Sequence, residues 1–158
     1  ADSADVPAED RARIVRRLQE FADGAAVHGI DVGLEFHGRT LTDEIGSTLR
    51  LLDEVDRGSV LSYWQPHQGM PAADALDTLR RVLPRASTIH VFSWWPRSER
   101  LPLADRADLW REAFGILAAQ GTPRDALLEF VPEDDPSLLH REAQTLRALI
   151  AAGEETLR

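Results

Sequence analysis

The chain contains no cysteine and no lysine. Without cysteine there are no disulfides, no thiolate metal sites and no cysteine nucleophile. All 18 basic residues are arginine, so Schiff-base chemistry and a phosphate-loop lysine are excluded within this chain. No apolar run approaches the roughly 18 residues that a membrane span needs. The first segment is acidic and lacks the apolar stretch of a signal peptide, which leads to the expectation of a cytoplasmic protein without membrane partners. Position 1 is not methionine, so the expectation is a processed chain or a piece of a longer one. A net charge of −9, with the arginines spread along the chain, argues against nucleic acid as a nonspecific partner.

What is present is ordinary for a folded domain. The 158 residues, 43% of them hydrophobic, suffice for one domain over 1–158 with a real core. Helical spacing of apolar residues runs from Ala8 to His28, through Ile14, Leu18, Phe21 and Ala25. Asp5 and Pro7 open that helix and Gly29 stops it. Further helices are expected over Thr42 to Val55, from Pro71, from Asp105, and from Pro136 to Ile150, with a frayed tail after Gly153. Between them lie four β-type runs: Asp31–Phe36, Ser59–Tyr63, Thr88–Phe92 and Ala126–Val131. Strands alternating with helices predict an α/β fold with a parallel sheet and right-handed crossovers. The third interval is the longest because of the loop from Ser93 to Leu103. A closed β/α barrel needs eight strands, so four parallel β/α units mean half a barrel, a fragment or a small open sheet.

Each strand ends on, or just before, a side chain that can bind a metal: Glu35, Gln65, His90 and Glu129. In a β/α barrel the C-terminal strand ends share one mouth, so residues at matching places in four successive units converge. Alternation turns Glu35 away from Val32, Leu34 and Phe36, and Glu129 away from Leu128 and Phe130, into the barrel. Two carboxylates in one mouth bind a cation, share a proton or do acid–base work. With an imidazole and an amide oxygen they form a mostly hard donor set. That favours Mn²⁺, Mg²⁺ or Co²⁺ and, without a thiolate, disfavours Zn²⁺. Taken singly, a strand glutamate is more often a surface residue and a strand histidine a hydrogen-bonded core residue. Their recurrence at one place in the repeat is what points to a site.

These residues resemble strands five to eight of the xylose isomerase-like TIM barrels, a superfamily that includes sugar-phosphate isomerases/epimerases and endonuclease IV. Val32-Gly33-Leu34-Glu35-Phe36-His37 is similar to the family's fifth strand, which ends in Glu-x-His. Ile89-His90-Val91 is similar to the seventh, and Leu127-Leu128-Glu129-Phe130 to the eighth. The sixth departs: Trp64-Gln65-Pro66-His67-Gln68 places glutamine where the family carries aspartate, which weakens the metal site. The resemblance spans about Pro7 to Ile150. It implies that all four presumed ligands lie in the half that is present, and that a missing half-barrel or a homodimer partner closes the substrate pocket.

The activity implied is a metal-dependent sugar or sugar-phosphate isomerase or epimerase. Glu35 and Glu129 would be acid and base on a carbohydrate substrate, working through an enediolate. His37, His67, Gln68 and Arg97 would hold hydroxyls or a phosphate, and Trp64, Trp94 and Trp95 an apolar wall. An endonuclease IV-like nuclease is the alternative, but Phe92-Ser93-Trp94-Trp95-Pro96 lacks the expected Asp-x-His. A non-catalytic half-barrel binding module is the third reading.

Overall fold

The computed structural model describes residues 2–155. Strands β1 (Val32–Glu35), β2 (Val60–Trp64), β3 (Ala86–Val91) and β4 (Asp125–Leu128) alternate with helices α1 (Ala8–Ala26), α2 (Ile45–Val55), α3 (Ala72–Val82), α4 (Ala107–Ala119) and α5 (Leu139–Glu155). The strands lie side by side in chain order, each parallel to the next. This is the α/β alternation that the sequence predicts, with β1 and β4 as the outer strands.

Local chemistry sets the element ends. α1 follows Pro7 and carries Glu9 and Asp10 in its first turn, where the helix dipole favours negative charge. Gly29, at φ 68°, turns the chain out of the helix toward β1. α2 starts at Ile45, later than expected, because Thr42 donates its hydroxyl to the Glu35 carbonyl and holds a loop instead. A 3-10 turn over Leu103–Arg106 delays α4 to Ala107. α5 continues through Gly153 to Glu155, where fraying was expected; residues 156–158 lie outside the described residues.

Gly153 has a packing reason to stand inside that helix. A Cβ there would sit 2.6 Å from Phe114 Cβ and 2.8 Å from the Gly115 nitrogen, so the missing side chain lets α4 and α5 approach closely. Gly153→Ala should therefore destabilise the fold by about 1–3 kcal/mol through overpacking, although alanine is the better helix former. Urea unfolding would read this; an unchanged or raised midpoint would contradict the close approach.

The core fills one face of the sheet. Trp64, Ile89 and Val91 pack against Leu76, Leu79 and Val82 of α3, Trp110 and Phe114 of α4, and Leu146 and Leu149 of α5. A smaller cluster joins Ala22 of α1 to Leu51, Leu52 and Val55 of α2 and Val60 of β2. β2 alternates accordingly: Val60, Ser62 and Trp64 are buried, while Leu61 and Tyr63 are partly exposed. Register puts Glu35 beside Tyr63 and His90 beside Leu127 on that less buried face. Leu127, at 49%, is among the most exposed large apolar residues, with Phe21 and Ile30 near β1 and Leu139 at the start of α5. These mark the two outer edges of the sheet and the face that a barrel would enclose. No described helix is long and apolar enough to cross a membrane.

Candidate cation-binding site

β1 ends on Glu35, His90 is the penultimate residue of β3, and Glu129 follows β4 directly. The Glu129 N–H donates to the Val91 carbonyl at 3.1 Å, which extends the β3–β4 ladder by one bond and fixes where its side chain emerges. Because the strands are parallel and in register, the three side chains reach one mouth. One ligand atom from each lies within 4.8 Å of the other two. His90 Nδ1 is 3.8 Å from Glu35 Oε1 and 3.6 Å from Glu129 Oε2. The fourth expected residue joins them: His90 Nδ1–H donates to Gln65 Oε1 at 2.9 Å. Gln65 is buried, so its amide is held rather than solvated.

This donor set fits a divalent cation. Ligands about 2.1 Å from an octahedral ion lie roughly 3.0–4.2 Å from one another, which brackets the two separations between His90 and the carboxylates. Two carboxylates, an imidazole and an amide oxygen would hold a hard or borderline ion and neutralise its charge. Ligation by Nδ1 requires that its proton leave and that Gln65 give up this hydrogen bond.

The electrostatics depend on Glu129. Burial pushes its carboxyl above the usual range; His90 opposes this, Glu35 adds to it by repulsion, and His37 opposes it more weakly. The folded chain thus holds this proton more tightly than the unfolded chain does. The resulting contribution to stability is complete below the ordinary glutamate range and is lost as pH rises through the raised folded value. Metal-free protein should lose stability across that weakly acidic window, and Glu129→Gln should flatten the slope. Thermal unfolding against pH in a chelator would measure it, and an unchanged slope in the variant would contradict the assignment.

A cavity of about 350 Å³ opens beside the cluster. His37, His67 and Gln68, expected to contact substrate, line it together with Glu35, Gln65 and Glu129. His67 stacks on Phe36 with ring centroids 4.2 Å apart and donates from Nε2 to the Asp43 carbonyl at 2.7 Å. His37 donates from Nδ1 to the Gly38 carbonyl at 2.8 Å.

Three expected contacts fall elsewhere. Trp95 is exposed outside the cavity lining, with the Arg106 guanidinium 5.0 Å from its ring centroid. Trp64 is fully buried on the helix side of the sheet, where its Nε1–H donates to Thr78 Oγ1 at 3.0 Å. Its place at an alternate strand position points it away from Tyr63 and hence away from the cavity. Arg97 is not among the lining residues. The Trp94–Arg100 bridge and the bond from Trp95 N–H to the Glu99 carbonyl fold this loop into a hairpin with Arg97 in its turn.

Other residues take those places. The aromatic wall is Phe92, Trp94 and Phe130. Trp94 and Phe130 have centroids 4.7 Å apart, and Arg100 covers both rings at 4.9 and 4.5 Å while pairing with Asp134. Phe130 was expected to pack outward by strand alternation, but β4 stops at Leu128, so the alternation no longer applies. The cationic lining residue is Arg39. Its signal in the sequence was a charged residue inside the short loop His37-Gly38-Arg39-Thr40 that follows Glu35.

No family model matches the chain. An alignment 84 positions long, covering 49% of this chain and 29% of the other, is 36% identical to a 3-dehydroshikimate dehydratase of Bacillus anthracis. The fold superposes on the crystal structure of AsbF, a probable 3-DHS dehydratase involved in petrobactin synthesis, from the same organism, with a TM-score of 0.73 and 24% identity. That match covers 92% of this chain and 59% of the solved one. The chain thus spans less than two thirds of either relative. The match in fold to part of a longer chain is consistent with the partial β/α barrel expected from the sequence.

Proposed function

We propose that this chain carries the cation-binding and proton-transferring part of a β/α barrel enzyme acting on a polyhydroxylated carbonyl compound. The convergence of Glu35, His90 and Glu129 on one point beside a cavity carries this reading. Glu35, His90, Glu129 and Gln65 Oε1 would hold a divalent ion, with Mn²⁺, Mg²⁺ or Co²⁺ suited to the donors. When bound, the ion supplies Lewis-acid stabilisation of negative charge on the substrate oxygens.

Each carboxylate has two oxygens, so one can face the ion while the other moves a proton. Glu129, which lines the cavity, suits removal of hydrogen from the carbon beside the carbonyl. Glu35, whose oxygen approaches the same imidazole, suits delivery of a proton to a neighbouring atom. Delivery to a departing β-hydroxyl completes a dehydration, and the name of the 3-dehydroshikimate dehydratase relative supports that outcome. Delivery to the former carbonyl carbon completes an isomerisation and delivery to the opposite face of the same carbon an epimerisation, a second outcome that the paired carboxylates also support.

The open face of the sheet calls for further β/α units to close the cavity. A second copy would bring another pair of carboxylates into the same mouth at a Coulombic cost. We infer that further units of a longer chain supply them.

The test is incubation of the full-length protein with 3-dehydroshikimate and Mn²⁺ in D₂O, with NMR detection of deuterium exchange beside the carbonyl and of water loss. Exchange together with dehydration is expected. A parallel panel of aldoses and ketoses detects isomerisation. Absence of exchange in every compound would refute proton abstraction.

Gln65→Asp adds a carboxylate to the donor set. It should tighten Mn²⁺ binding by roughly tenfold, read by titration calorimetry. Unchanged or weaker binding would place Gln65 outside the coordination sphere.

A further inference from the structure

Arg39 is the guanidinium lining the cavity, and among the described residues it makes no hydrogen bond or ion pair. Its neighbours hold it in place. The His37 N–H donates to the Thr42 carbonyl at 3.2 Å, and Thr40 Oγ1 donates to the His37 carbonyl at 2.7 Å. Arg39 itself adopts φ 62°, a left-handed conformation uncommon for a residue with a side chain. A turn this closely bonded fixes the point from which the guanidinium projects.

The charge balance in the cavity gives that guanidinium a task. Glu35 and Glu129 contribute two negative charges, which a divalent ion would cancel. Arg39 then remains as the uncompensated charge, and the cavity is complementary to a monoanion. Across it stands the aromatic wall of Phe92, Trp94 and Phe130. The Trp94 Nε1–H is itself buried without a partner behind that wall. A carboxylate matches one guanidinium in charge and in its two-oxygen fork, whereas a phosphate monoester brings nearer two charges.

We propose that Arg39 is the specificity-determining residue of this site and that it selects substrates bearing a carboxylate. This deepens the reading above and rests on it. In a chain of net charge −9, an anionic substrate gains from such a local cation.

The experiment measures binding of three probes to the Mn²⁺-loaded full-length protein by calorimetry: shikimate, its neutral methyl ester and ribose 5-phosphate. Mn²⁺ uptake is followed in parallel by electron paramagnetic resonance. Shikimate should bind most tightly. Arg39→Gln should weaken it about tenfold to a hundredfold, leave the ester and Mn²⁺ uptake unchanged, and be partly rescued in Arg39→Lys. Three results overturn the inference alone: shikimate and ester binding equally, Arg39→Gln weakening both alike, or Arg39 mattering only for ribose 5-phosphate. Failure of the parent protein to take up Mn²⁺ overturns the function reading and this inference with it.

Discussion

Glu129→Gln is expected to lower Mn²⁺ affinity by roughly a hundredfold and to abolish turnover while the fold survives. The size of the effect follows from position. Glu129 contributes one of two charges to the donor set, with His90 Nδ1 only 3.6 Å from its Oε2. Glutamine keeps the shape and the backbone bond to Val91 but removes the charge and the proton-carrying capacity. Stability without metal should hold or rise, because burial and Glu35 already disfavour the ionised form of Glu129. Calorimetry, turnover and unfolding on the same preparation separate these effects. Retained activity with intact metal binding would remove Glu129 from the mechanism.

Trp64→Ala should destabilise the chain by about 3–5 kcal/mol, as expected for deleting a fully buried indole. That approaches the whole stability of an ordinary domain, typically about 5–15 kcal/mol. Trp64 packs edge-on against Trp110 at 6.1 Å between centroids, and its Nε1–H satisfies Thr78 Oγ1. Both rings lie in the cluster that ties β2 to α3, α4 and α5. Trp64→Phe should keep most of the stability and leave KM unaltered. A large rise in KM with unchanged stability would return Trp64 to the substrate wall.

That exchange of roles shows what could be read from the sequence. The four strands and five helices were legible because apolar periodicity and Gly or Pro punctuation mark each of them. The clustering of three side chains was legible because parallel strands bring equivalent positions to one mouth, so Glu35, His90 and Glu129 needed only their place in the repeat. Gln65 was legible from the same place despite its chemistry. The cavity walls were less accessible. Trp64 lies one residue from Gln65, and alternation sends it to the opposite face, a distinction that is lost when a strand end is read as one patch. Arg97 and Phe130 depend on a hairpin and on the point where β4 ends, both set by tertiary bonds rather than by local pattern. Arg39 depends on a left-handed loop conformation that arginine seldom marks.

The central claim is that Glu35, His90, Glu129 and Gln65 form one cation site. Titration of the full-length protein with Mn²⁺, followed by electron paramagnetic resonance and repeated on His90→Ala, tests it most directly. The account predicts one saturable site per chain that is lost in the variant. Absence of saturable binding at millimolar Mn²⁺, or binding that survives His90→Ala unchanged, would contradict it and favour a non-catalytic half-barrel.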